Sequence, residues 1–237
     1  MSVATRGLAV RRSEVPAGLT AIPVRTRLVR PGDDLVELVT DAVRGIARPG
    51  DVVAISESAV AIAQGEFVAA EHVRPSALAY ALSRRAGPLA TVNQPESMQL
   101  VIDAAGLWKV LYATAAHVIG RLGGKRGVFY EVMGETIAAF DGYTGTMPPY
   151  ERAIVFAPRD PAGFAGAFER RCGIACAVVD ANDLEKTKVL GCSEGVAAAV
   201  VEAALLDNPH GNGDEQTPIV VLKWRGPGRS PLGEAAP

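Results

Sequence analysis

No sign of charge dominates this chain. Its 237 residues hold 24 basic and 26 acidic side chains, a net charge of -2 mixed along the length, which leaves no electrostatic footprint for nucleic acid or an anionic membrane. Cysteine is scarce: three residues, an odd number without metal-type pairing, fit a reducing compartment. Cys172 and Cys176 are spaced wrongly for a zinc knuckle and read as small buried thiols. Long apolar runs are missing too. The start, "MSVATRGLAVRRSEVPAGL", holds none long enough for a signal peptide, and "GVAAAVVEAALL" is interrupted by Glu202. The expected setting is cytoplasmic, with neither nucleic acid nor membrane as partner. Phosphate-cradling glycine motifs, G-x-x-x-x-G-K-[ST] or a strand followed by G-x-G-x-x-G, are absent. The contexts of the three histidines give no support to a Ser-His-acid triad, and His117, among apolar neighbours, reads as a core or surface histidine.

What is present is core. Hydrophobic residues make up 49% of the chain, enough to bury a full interior without staples. After a flexible start (1–19), "TAIPVRTRLVRPGDDLVELVTDAVRGIARPGDVVAIS" reads as strand, helix, strand. Leu35, Leu38, Val39, Ala42, Val43 and Ile46 fall at helical spacing, Asp33 or Asp34 caps the start and Pro49-Gly50 stops it. Residues 71–95, broken by prolines, read as a mobile loop or lid. "ESMQLVIDAA" and "LWKVLYATAAHVIGRLG" predict two helices parted at Gly106. "GVFYEVM", "TIAAFD" and "AIVFAP" predict strands, the first two joined through Gly134-Glu135 in a hairpin. Asp160-Pro161 opens a helix, "ACAVVDAN" is a strand, Ser193 opens "EGVAAAVVEAALL", and "TPIVVLKW" is the last strand. The tail, 227–237, has the composition of a disordered, solvated end. The expected fold class is α+β, with mixed sheets, β-hairpins and packed helices, as a single domain over 20–226.

Three strand ends finish in polar loops: Asp141 and Thr144 in "AAFDGYTG"; Asp180, Asn182 and Asp183 in "VVDAND"; Asn212, Asp214, Glu215 and Gln216 in "NPHGNGDEQTP". Hard oxygen ligands converging from several loops suit Mg²⁺ or Mn²⁺ and, through it, a nucleotide's phosphates. The alternative is that each loop holds ordinary turn and capping residues. Arg25, Arg27, Arg30, Lys125, Arg126, Lys186 and Lys188 could neutralise phosphate or serve as solvated surface charge. "GCSEG" could offer backbone N–H groups to an anion.

In order, the opening "IPVRTRLVRPGDDLVELVTDAVRGIARPGDVVAIS", "AQGEF", "AAFDGYTG", "VVDANDLEKTKVLG" and "DEQTPIVVLKWRG" resemble the coenzyme F-420 γ-glutamyl ligase family, over roughly residues 20 to 226. The resemblance implies a GTP-dependent (or ATP-dependent), divalent-metal α+β enzyme working as a homodimer, which joins an amino acid such as L-glutamate to a small-molecule carboxylate. It also implies metal ligation by Asp141, Asp180 and Asn212. Nucleotide contacts are implied for Thr26, Arg27, Glu57, Ser58, Thr144, Gly211, Asn212, Asp214, Glu215 and Gln216. Three features depart from the family: its lysine in "S-K-A-E-G" is Ile62 here, the threonine after the second metal aspartate is Ala181, and "N-A-G-I-D-x-S-N" has become "AAFDGYTG". Glu57, Asp183 or Glu215 is expected to take the amine proton. Two rivals remain open: a non-catalytic binding protein of the same fold, and a metal-dependent hydrolase with water as nucleophile.

Overall fold

The computed structural model describes residues 16–86, 92–125, 127–134, 140–141, 148–182, 186–211, 215–228 and 230–233. They divide into two compact units. The first joins Met1–Gln64 to Pro158–Pro237, and the second is the intervening Gly65–Ala157. The mixture of helices with mixed sheets bears out the α+β expectation.

In the first unit a five-stranded sheet is built from β1 (Leu19–Val24), β2 (Val52–Ser56), β6 (Ala175–Asn182), β7 (Lys186–Cys192) and β8 (Ile219–Trp224), in the order β1-β8-β2-β6-β7. β2 and β6 run parallel, Val52 opposite Ala175, while β8 lies antiparallel to both β1 and β2. Strand alternation sends Val52, Ala54, Ala175, Ala177, Val179, Val220 and Leu222 to one face, where Val201 of α8 (Ala198–Ala204) and Leu205 cover them. The opposite set, including Val53, Ile55, Val178 and Val221, is buried as well. Burial on both faces explains why β2 and β8 read as continuous apolar runs.

Helix α1 (Leu35–Val43) forms as its spacing predicts, burying Leu35, Val39 and Val43. Asp34 is the cap, accepting from the Glu37 amide at 3.0 Å. Asp33 is used elsewhere, and the helix stops before Gly45, at φ 76°, short of Pro49-Gly50. α2 (Glu57–Gln64) follows β2 directly. α7 (Pro161–Cys172) opens as expected, its cap Asp160 accepting from the Gly163 amide. It lies across β6 and β7. Bare Gly191 on β7 makes room for it, since a Cβ there would collide with the backbone of Pro161 and Ala162.

One strand of this unit goes unread in the sequence, and one reading needs correction. The polar stretch after Asp183 holds a strand, β7, which pairs with β6 through a bulge at Val178/Val179. Its lysines and threonine sit on an edge strand, where apolar alternation is not required. Ser193 does not open a helix. It is buried, its Oγ accepting from the Cys176 amide at 3.0 Å and donating to the Ala165 carbonyl at 3.2 Å, and α8 starts five residues later. Gly191 to Gly195 has the G-x-S-x-G spacing of a nucleophile elbow, a motif that the sequence reading took to be absent. With its hydroxyl spent on two backbone groups, Ser193 cannot serve as one. Ser193→Ala orphans the Cys176 amide in the interior and should destabilise the fold by about 2 kcal/mol, measured by urea denaturation.

Composition also misjudges the tail. Leu232 is buried against the sheet and its carbonyl accepts from the Ala197 amide at 2.8 Å. Residues 1–15 of the start expected from sequence to be flexible, together with residues 229 and 234–237 of the tail, lie outside the described residues.

The second unit contains β3 (Phe67–Ala69), β4 (Phe140–Asp141) and β5 (Ala153–Phe156) in the order β3-β5-β4, with a 3₁₀ turn at Ala70–His72 and helices α3 (Ala77–Ser83), α4 (Pro95–Ala105), α5 (Leu107–Leu122) and α6 (Val128–Met133). Gly106, at φ 83°, parts α4 from α5 as predicted. Met98, Val101, Ile102, Val110, Phe129 and Met133 form its core, and His117 is half-buried on α5.

Where a loop or lid was expected, α3 forms. Ser76 caps it by accepting from the Ala79 amide, and the Gln99 side chain accepts from the Ser76 amide. Only two turns long and preceded by Pro75, it shows too little periodicity to register in sequence. "VFYEVM" is helix α6, not a strand, so the hairpin with "TIAAFD" does not form. Its β-prone residues also place Phe129 and Met133 at i and i+4, and packing of that pair decides the outcome. Glu135 and the rest of 135–139 lie outside the described residues. Among the described residues no helix is long and apolar enough to cross a membrane.

Candidate active site

Register brings several predicted residues to one edge of the five-stranded sheet. β2 ends at Ser56 opposite Val179 of β6, so Glu57, opening α2, stands beside Asp180, which is still on β6 two residues before its end. β8 enters that edge at Ile219, opposite Ile55 of β2 and Val24 of β1. Thr26 and Arg27 therefore leave, and Glu215 and Gln216 arrive, at the same place. Two backbone bonds fasten these loops: Thr26 N–H to the Gln216 carbonyl at 2.9 Å, and Ser56 N–H to the Pro218 carbonyl at 2.8 Å. In open sheets with parallel strands, the carboxyl ends of those strands are where ligands bind.

Asp180 is exposed at its tip. Packed strands beside it nonetheless desolvate the carboxyl enough to lift it above the ordinary range, partly offset by Lys188, its cross-strand neighbour on β7. Glu57 and Ser58 stand in the first turn of α2, half-buried, where the free N–H groups of the helix favour negative charge.

Arg27 is already engaged. Its guanidinium grips Asp33 at 2.6 and 3.0 Å and also donates to the Leu28 carbonyl, while Asp33 accepts from the Arg30 amide. The Arg27 bond holds the Asp33 carboxyl below its usual range. A phosphate meeting Arg27 would compete with a bidentate carboxylate.

The late loop holds two residues that the sequence reading passed over. His210 is buried, and desolvation pushes its imidazole down to about 4. Its Nδ1 lies 3.2 Å from the Thr217 carbonyl, and the Thr217 hydroxyl donates to the His210 carbonyl. No local pattern announces a pairing that closes only when the loop folds back. Desolvation raises all three thiols, but only Cys176 is a core residue; Cys172, expected to be buried, is partly exposed, as is Cys192.

Asp141 ends β4 in the second unit, opposite Val155. The side chains of Asp141 and Asn182, and all of Thr144, Asp183, Asn212 and Asp214, lie outside the described residues. Among the described residues no three His, Cys, Asp or Glu side chains gather into a metal cluster.

Residues 23–128 match the model of the family described as F420-0:Gamma-glutamyl ligase. Over that stretch the chain is similar to the F420-0:gamma-glutamyl ligases. A curated relative, the coenzyme F420:L-glutamate ligase of Methanopyrus kandleri, is 29% identical over 146 residues, covering 61% of this chain and 50% of the relative. The chain thus spans about half the length of that curated ligase. The family match takes in Thr26, Arg27, Glu57 and Ser58 and ends before Asp141, Asp180 and Glu215.

Proposed function

We propose that the chain is a nucleotide- and divalent-metal-dependent amide ligase of γ-glutamyl ligase type, joining an amino acid to a small-molecule carboxylate through an acyl phosphate. The observation that carries this reading is the meeting of Thr26, Glu57, Ser58, Asp180, Glu215 and Gln216 at one sheet edge, in a chain whose residues 23–128 match the ligase family. The working unit proposed is a homodimer acting in the cytoplasm.

In this reaction a carboxylate oxygen of the acceptor attacks the γ-phosphorus of GTP or ATP. The bond to the β,γ-bridging oxygen breaks, and the nucleoside diphosphate leaves. The amine nitrogen then adds to the acyl carbon, phosphate departs with the electron pair of the C–O bond, and the nitrogen gives up a proton. Glu57 and Glu215 are the described candidates to receive it; Asp183 is the third. Thr26 and Gln216, whose loops are joined by a backbone bond, are proposed to contact the nucleotide, with Gly211 and Ser58 as further proposed contacts. Asp180, a hard oxygen donor open to solvent near a strand end, fits Mg²⁺ or Mn²⁺, and Asn212 is proposed as a further ligand from the same unit. Such an ion would neutralise charge on the phosphoryl oxygens.

Two observations favour the non-catalytic binding protein as the second reading. Ile62, standing where the resembling family has a lysine, is only 5% exposed and packs in the core, and Arg27 is tied to Asp33. Incubation of the full chain with GTP, Mn²⁺, a panel of carboxylates and L-glutamate separates the possibilities. The ligase reading expects phosphate release that requires both carboxylate and amine. Release without amine would assign a hydrolase, and nucleotide binding without release would assign the binding protein.

A further inference from the structure

We propose that His210 and Thr217 are positioning residues that set the place of the Glu215 carboxylate, an inference that rests on the ligase reading. The His210 ring is 8% exposed. Its Nδ1 faces the Thr217 carbonyl at 3.2 Å and so carries the proton, while the Thr217 hydroxyl returns a bond to the His210 carbonyl. Two reciprocal bonds thereby form a clasp that ties His210, next to Gly211, to Thr217, next to Gln216.

The downstream end is also anchored to the sheet. Gln216, at φ 55°, aims its carbonyl at the Thr26 amide, and Pro218 binds the Ser56 amide. The clasp transmits that anchorage to the upstream end. Gly211, at φ 73°, lies directly beneath the Glu215 carboxylate: a Cβ added to it would stand 2.7, 2.8 and 3.0 Å from the three carboxyl atoms. The carboxylate therefore rests on a bare glycine whose position the clasp determines. Releasing the clasp shifts Glu215 relative to Glu57 and Asp180 without touching either.

Calorimetry on the full chain with GTP and Mg²⁺ as probe tests this. Thr217→Val should weaken binding by about tenfold and Thr217→Ser should restore it to within about threefold, because serine keeps the hydroxyl. In a Glu215→Gln background Thr217→Val should add almost nothing, since the two act through one group. An equal loss in both backgrounds overturns the proposal. Should Thr217→Val fail to fold, Gly211→Ala displaces the same carboxylate, and a loss that persists in Glu215→Ala overturns it equally. If the unaltered chain binds no nucleotide, the ligase reading fails by itself. The clasp is then judged by amide exchange at Gln216 and Thr217, which Thr217→Val should accelerate about tenfold and which, unchanged, would refute it.

Discussion

Asp180→Asn is expected to lower metal-dependent GTP affinity by about 100-fold, roughly 2.7 kcal/mol, while leaving the fold intact. The carboxylate sits near the end of β6, exposed at its tip, with Lys188 as its cross-strand neighbour. Substitution by an isosteric amide removes the anionic oxygen that a hard divalent cation requires and disturbs no core contact. Melting of the variant close to the unaltered chain, together with loss of the metal-dependent part of binding, is the expected pair of results. Unchanged affinity would remove Asp180 from the site.

The second large effect concerns acid. The His210 imidazole titrates at about 4 in the folded chain, against 6.5 for the free side chain, because burial disfavours its charged form. Between those values the unfolded chain binds the additional proton. The stabilisation is thus fully present above pH 6.5 and is lost as pH falls through the interval toward 4. The difference amounts to about 3 kcal/mol. Urea midpoints measured at pH 7, 6 and 5 should fall steeply for the unaltered chain and less steeply for His210→Asn, which places an amide donor near the Nδ1 position and does not titrate. Parallel curves would show that the histidine carries no such burden.

Which parts of this molecule can be read from sequence follows from where the decisive interactions lie. β2, β8, α1, α4, α5 and α7 were legible because their signals are local: continuous apolar runs, a helical stripe ended by glycine, an Asp-Pro start. α6 was not, because aromatic and β-branched residues satisfy either structure and the pairing of Phe129 with Met133 is settled only by the core they enter. β7 escaped notice because an edge strand tolerates polar residues. The candidate site shows the same division. Glu57, Asp180 and Glu215 could each be picked out as acid at the end of an apolar run, yet their meeting depends on β2 lying parallel to β6 and antiparallel to β8. Those pairings span more than a hundred residues of chain and leave no local trace. His210 and Thr217 were missed for the same reason on a shorter scale.

The engagement of Arg27 by Asp33 carries a related lesson. A basic residue near a proposed phosphate site is suggestive in sequence, but a bidentate carboxylate six positions away already satisfies its geometry. Buried Ile62 likewise provides packing at a position where the resembling family carries charge. Among the described residues, the N–H groups at the start of α2 and Lys188 stand at this edge as groups that could neutralise a phosphate.

The central claim, a metal-dependent nucleotide site at the carboxyl edge of β2 and β6, is tested most directly by calorimetric titration of the full chain with GTP and with ATP, each in the presence of Mg²⁺, of Mn²⁺ and of no divalent metal. The account predicts binding of at least one nucleotide that requires the metal; the absence of binding under every one of these conditions would contradict it.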